Sequence, residues 1–140
     1  IFFLFGPHEH PTRLVPSLIV PLLKGEEAHC GKPWLERDFL YVEDVARAFV
    51  ALLLSSVTGA VNIASGMPVT LQSVAEIIAQ ELDASDRMTF GEKSPSDHDP
   101  EHLTASVRRL CDEVGWQPQR LLQGGMKETI QWWQGVHYPS

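Results

Sequence analysis

The chain opens on five consecutive apolar residues, Ile1, Phe2, Phe3, Leu4 and Phe5, which stop at Gly6-Pro7. A surface strand would alternate apolar and polar side chains. An unbroken run this short suits a strand covered on both faces, and such strands sit in parallel sheets flanked by helices. That requirement points to a layered α/β architecture. The run lacks the basic flank and small-residue cleavage site of a secretory signal. A naked buried strand at the first residue also leads us to expect a piece of a larger protein.

The rest of the chain alternates in the same sense. Residues 8–12 read as a polar loop. Leu14, Leu18, Leu22 and Leu23 then fall at helical spacing within residues 13–24, with Gly25 at the C-terminal cap position. Pro16 suits a first turn, whereas Pro21 predicts a kink or an interruption. Residues 28–34 form a short connection with one strand at most, and Phe39-Leu40-Tyr41-Val42 reads as a strand. Glu43-Asp44 places carboxylates at the start of the next helix, where its dipole favours them. Val45, Phe49, Leu52 and Leu53 supply that helix's apolar stripe. Residues 60–64 predict a further strand. Thr70 is an N-cap for a helix that aligns Leu71, Val74, Ala75, Ile78 and Leu82 on one face. Met88-Thr89-Phe90 reads as a strand, residues 92–102 as a polar surface loop, and residues 107–114 and 121–133 as two more helical segments. Strands alternating with helices argue for mixed α/β.

Charge and composition remove several function classes. Lys and Arg total 11 against 18 Asp and Glu, a net charge of −7. No basic stripe is available to follow a phosphate backbone, so no nucleic-acid partner is expected. The longest apolar runs fall far short of the ~18 residues a membrane span needs, so no membrane partner is expected either. Cys30 and Cys111 make no disulfide framework and lack neighbours that would activate a thiolate. A reducing, cytoplasmic setting is the natural expectation.

No phosphate-cradling glycine run of the dinucleotide type occurs, and neither Tyr41 nor Tyr138 has a Lys four residues downstream. Arg37 is the most informative polar residue. Its guanidinium suits bidentate binding of an anion; the alternative is a structural pair with Asp38 or Glu43. His8, Glu9 and His10, and the cluster Asp97, His98, Asp99, Glu101 and His102, are metal-capable residue types. Their spacings match no closed zinc motif, so no metal is expected. Trp116 and Trp132-Trp133 read as core, since Met126, Thr129, Ile130 and Trp133 follow one helical face.

Several ordered blocks carry a resemblance. Residues 1–7, Arg13-Leu14-Val15-Pro16, Arg37-Asp38-Phe39-Leu40-Tyr41-Val42-Glu43-Asp44-Val45-Ala46, Val61-Asn62-Ile63-Ala64-Ser65-Gly66 and Val114-Gly115-Trp116-Gln117-Pro118 resemble the extended short-chain dehydrogenase/reductase family. The likeness is to its NAD-dependent nucleotide-sugar epimerase/dehydratase branch. In that family the glycine-rich loop and a Tyr-x-x-x-Lys pair precede the strand ending in Gly-Pro. The resemblance therefore implies the C-terminal portion of a Rossmann-type protein, with residues 1–140 combining the last Rossmann strands and the small mixed α/β substrate-binding domain.

The resemblance further implies a parent enzyme that uses NAD or NADP to oxidise a sugar carbon transiently, in epimerisation or dehydration. The alternative is a non-catalytic module that senses a ligand or partner. The fragment alone is expected to be inactive, with no catalytic residue, and to bind neither NAD nor NADP. By position, Arg37 corresponds to the family's pyrophosphate-gripping arginine. Arg13, Leu14 and Pro16 lie in the segment that closes over the substrate's nucleotide end, and Ile1 and Phe2 correspond to the strand end beside the nicotinamide. Phe3 stands where the family often has Asn, Ser106 where it often has Asp, and Ser94 where it has a second arginine. Lys93 is the expected substitute as a point charge. The implied partners are a nucleotide-sugar substrate and, for the parent, a second copy in a homodimer. The fragment itself is expected to self-associate through its apolar first strand.

Overall fold

A computed structural model of the chain describes residues 1–94 and 98–137. Six strands and five helices follow in the order β1 (Phe3–Phe5), α1 (Leu14–Leu23), β2 (Ala28–Cys30), β3 (Glu36–Tyr41), α2 (Val42–Leu54), β4 (Pro68–Thr70), α3 (Leu71–Glu81), β5 (Met88–Phe90), β6 (His102–Leu103), α4 (Arg108–Asp112) and α5 (Leu122–His137).

β3 is the hub. Its second half pairs in parallel with β1, Phe3 opposite Phe39 and Phe5 opposite Tyr41. Its first half pairs antiparallel with β4 and parallel with β6. β2 and β5 form a separate parallel pair, Ala28 opposite Met88. Successive β3 side chains enter opposite layers, as pleating demands. Phe39 and Tyr41 join the large cluster with Phe5, Val15, Leu18, Ile19, Val74, Ile78, Met126 and Trp133, while Leu40 joins a second one with Val45, Ala48, Ile63, Leu110 and Trp116. Three of the four strand pairings are parallel, and the β1–β3 pair is packed under α1 and α5 in the larger core. The expected C-terminal portion with a distinct small mixed substrate domain is corrected accordingly: the framework is a Rossmann-type parallel core with helices laid against it, because fully apolar strands such as Phe3–Phe5 must be covered on both faces.

Several local expectations meet the structure closely. Thr70 caps α3, its Oγ1 accepting the Ser73 amide at 3.1 Å. α1 ends in a Schellman motif: Gly25 at φ +78° donates to the Leu22 carbonyl and Glu26 to the Pro21 carbonyl, both at 3.0 Å. Pro21 does not interrupt α1: the helix continues through it to Leu23, forgoing only the bond its missing N–H would have made to the Ser17 carbonyl. Other expectations fail. Residues 60–64 form no strand; Ile63 is buried and accepts the Phe2 amide at 3.2 Å without a ladder. The stripe assigned to α2 is only partly inside, since Val45 is buried but Phe49 is 47% and Leu53 82% exposed. β1 needs less outside cover than its composition suggests, for Phe5 is fully buried within the chain and only Ile1 stands well exposed.

Candidate functional site

The short loop after β1 turns sharply. His8 takes a left-handed φ of +66° and its ring packs 4.6 Å from that of Trp132. Left-handed backbone is uncommon outside glycine, and here the turn brings residues 9–14 back over the end of β1. The His10 carbonyl accepts the Arg13 amide at 2.9 Å and the Arg13 carbonyl accepts the Ser17 amide at 2.9 Å, which leads directly into α1.

Under this loop lies a cavity of about 270 Å³, lined by Phe3, Leu4, Glu9, Thr12, Arg13, Leu14, Arg37, Phe39 and Leu71. Sequence-predicted Arg13, Leu14 and Arg37 therefore meet in one place, contributed by the loop, the start of α1 and β3. Pro16 is buried inside the first turn of α1 and does not line the cavity. Lys93 lies outside it too, its exposed ammonium paired with the Glu101 carboxylate, which that contact holds below the usual carboxylate range. Ile1 is 59% exposed at the leading end of β1, and Phe2 is half-buried beside Ile63.

Neither structural pairing considered for Arg37 occurs. Its Nη1 donates to the carbonyls of Glu36 at 2.7 Å, Pro100 at 3.0 Å and Glu101 at 3.3 Å, and the guanidinium lies 5.8 Å from the Phe3 ring centroid. Among the described residues no carboxylate pairs with it. Asp38 is engaged elsewhere: fully buried, it accepts the Ser65 amide at 2.8 Å, the Ser65 hydroxyl at 2.6 Å, the Gly66 amide at 2.9 Å and the Ala105 amide at 3.2 Å. Glu43 pairs with Arg47 at 3.0 Å. One edge of the Arg37 guanidinium thus anchors backbone while its positive charge borders the cavity.

Sequence reading missed Glu9 as a cavity residue, because His-Glu-His-Pro-Thr has the composition of a solvated loop. Its side chain is only 9% exposed, its Oε2 is buried without a hydrogen-bond partner, and its Oε1 stands 3.9 Å from the Arg13 Nε. Burial pushes the carboxyl up to about 7, against the lowering influence of Arg13 and the Gly6 amide. Phe3, Phe39 and Leu71 complete an apolar wall, with the two phenylalanine rings 5.8 Å apart. A second cavity of similar volume, between β3 and residues 118–123, has Arg120 as its charged lining residue, already paired with Glu128 at 3.0 Å. Asp97 of the metal-capable cluster lies outside the described residues; among the described residues no three His, Cys, Asp or Glu side chains converge.

Two arginines, a buried acid and an aromatic wall line one cavity beside a parallel strand, a chemistry suited to an anionic organic ligand. Residues 1–64 match the NAD dependent epimerase/dehydratase family. The epimerase/dehydratase likeness extends over nearly all of the chain. The dTDP-glucose 4,6-dehydratase of Shigella flexneri is 28% identical over 139 residues, 92% of this chain and 38% of the relative. The UDP-glucose 4-epimerase of Thermotoga maritima, solved with UDP-glucose, superposes with a TM-score of 0.86 at 23% identity, covering 97% of this chain and 45% of that one. MoeE5, solved in complex with UDP-glucose and NAD, superposes with a TM-score of 0.82 at 27% identity, covering 97% and 46%. The chain spans less than half the length of these proteins.

These likenesses bear out the epimerase/dehydratase, short-chain dehydrogenase/reductase, Rossmann and nucleotide-sugar associations drawn from the motifs. They also correct four expectations. Residues 1–64 match the NAD dependent epimerase/dehydratase family model itself and the chain superposes on Rossmann-type neighbours, so restricting the resemblance to a C-terminal piece is withdrawn. The same match overturns the reading as a separable substrate-binding part, and its non-catalytic sensor alternative. An inactive fragment is withdrawn on the same ground. So is the expectation of a chain with no share in the cofactor, because 97% of it superposes on MoeE5, which is solved with NAD. Among the described residues no helix is long and apolar enough to cross a membrane.

Proposed function

We propose that this chain contributes to the catalytic core of an NAD-dependent epimerase or dehydratase acting on a nucleotide-linked sugar. The observation that carries this reading is the convergence of Arg13 and Arg37 on one aromatic-walled cavity at the end of a parallel strand. Diphosphates are dianionic and suit guanidinium groups, which offer paired donors in a fixed plane. Leu14 closes the pocket beside them. Pro16 acts behind it by fixing the first turn of α1, and Lys93 joins only by leaving Glu101.

The cofactor's share is proposed at Ile1 and Phe2. An accessible apolar strand end fits the flat face of a nicotinamide ring, and Phe2 is tethered through its amide to Ile63. The sequence has no Gly-x-x-Gly-x-x-Gly run, so the contacts assigned to this chain are those at the strand end. When bound, a nicotinamide cofactor supplies a reversible hydride acceptor. The chain's own residues hold the bridging diphosphate of the substrate, exclude water with Phe3, Phe39 and Leu71, and keep the reacting sugar toward the strand end. The protein is proposed to be cytoplasmic and to work as a homodimer.

Arg37→Ala tests the pocket. Loss of a charge-assisted contact predicts a nucleotide-sugar affinity lower by tenfold or more, from about 1.5–3 kcal/mol. Because Nη1 also anchors the carbonyls of Glu36, Pro100 and Glu101, the melting temperature falls as well. Titration calorimetry below the melting range separates the two effects. Unchanged affinity in the folded variant assigns Arg37 to structure alone.

A further inference from the structure

The mechanism above uses the arginines and the apolar wall of the cavity but leaves its one buried acid idle. Glu9 lines the same cavity as Arg13 and Arg37, yet neither arginine satisfies it: Arg13 reaches only Oε1, at 3.9 Å, and Oε2 is buried with no partner. A buried carboxylate oxygen without a donor is costly, and such oxygens are normally paired. The Gly6 amide acts on the carboxyl but leaves Oε2 unpaired, and the surrounding side chains offer nothing to pair it with. Phe3, Leu4, Phe39, Leu14 and Leu71 are apolar, and the Thr12 hydroxyl is engaged with His10 Nδ1 at 2.9 Å.

We propose that Glu9 is a specificity-determining residue, whose Oε2 accepts a hydrogen bond from an N–H or O–H group of an anionic ligand held by Arg13 and Arg37. This rests on the nucleotide-sugar reading and deepens it by adding a neutral donor to the required anion. A carboxylate demands a donor, so it favours ligands bearing a hydroxyl or ring N–H at that point and disfavours ligands presenting an acceptor there, which would leave two lone pairs facing each other. Both a nucleoside and a sugar carry such donors.

The charged and titratable groups around Glu9 are Arg13 and Arg37 on the cavity wall and His8 and His10 on its own loop; β1 and α3 present apolar residues. Since burial pushes the free carboxyl up to about 7, a charge-assisted bond from the donor to the carboxylate requires proton release near neutrality. Binding of a donor-bearing ligand therefore strengthens between pH 6 and pH 8.

The test is calorimetric titration of the full chain and of Glu9→Gln with UDP-glucose, UDP and inorganic pyrophosphate at pH 6 and pH 8. At pH 8 the variant is expected to lose roughly fivefold or more in affinity for a donor-bearing ligand, as a charge-assisted bond becomes a neutral one. Pyrophosphate, which has neither a sugar hydroxyl nor a base N–H, loses no affinity in the variant. A loss shared by UDP and UDP-glucose places the donor on the nucleoside; a loss confined to UDP-glucose places it on the sugar. The extra gain from pH 6 to pH 8 disappears in Glu9→Gln. If the variant binds UDP and UDP-glucose as the wild type does at pH 8, the proposal is overturned while the nucleotide-sugar reading stands. If neither protein binds UDP or UDP-glucose, both fall together.

Discussion

Glu9 shows how one side chain couples pocket chemistry to stability. Its carboxyl is raised to about 7 in the folded chain, mainly by burial, against an ordinary value of 4.5. Between those values the folded state binds more protons than the unfolded state, so the stability Glu9 contributes is full below about 4.5 and is lost as pH rises through about 7. Allowing for the solvent that still reaches the carboxyl, the loss is on the order of 2 kcal/mol. Urea unfolding at pH 5 and pH 8 checks this: Glu9→Gln should gain on the wild type by that amount at the higher pH. Parallel behaviour of the two proteins would refute it. Tyr41 makes the opposite point, since burial and the Glu128 carboxylate push its hydroxyl up to about 12 and leave it a hydrogen-bond donor at neutral pH.

Between elements, α5 comes up tightly against the aromatic pair beneath it. A Cβ added at Gly125 would stand 2.8 Å from Tyr41 Cδ2 and 3.0 Å from Phe5 Cζ. Tyr41 cannot easily withdraw, because its hydroxyl donates to Glu128 on the same helix at 3.0 Å. Alanine has the better helix propensity by about 1 kcal/mol, but overpacking costs about 1–3 kcal/mol. Gly125→Val should therefore lower the melting temperature, and Gly125→Ala should fail to raise it, in thermal melts followed by circular dichroism. A stabilised Gly125→Ala would show that α5 is free to shift. Asp38 ties other elements together by the same economy of space, joining β3 to Ser65, Gly66 and Ala105 through four accepted hydrogen bonds.

Across the molecule, the two hydrophobic clusters meet at β3, and each contains one buried tryptophan: Trp133 in the larger and Trp116 in the smaller. Because Phe39 and Tyr41 enter one cluster and Leu40 the other, neither layer can lose its packing without loosening the strand they share. Leu40→Ala should cost about 2–5 kcal/mol. The wild type and the variant should each unfold in one transition, with near-ultraviolet signals from single-Trp versions at 116 and 133 coinciding. Separate melting of the Trp116 signal would show that the clusters are independent units.

Features written in local spacing were legible before any coordinates. The Thr70 cap and the α3 face, Gly25 at the end of α1, the α5 face of Met126, Thr129, Ile130 and Trp133, and the buried strand at β1 all depend on neighbours within about four residues. Arg13, Leu14 and Arg37 were singled out by motif, but nothing in their spacing brings them together. That depends on the left-handed turn at His8 and the parallel register of β1 on β3. Residues 60–64 have strand composition yet form none, because composition cannot show whether a partner edge is available. Glu9 was hidden for the same reason: burial of a carboxylate is a property of the side chains folded over it, and its own polar neighbours in the chain pointed to solvent.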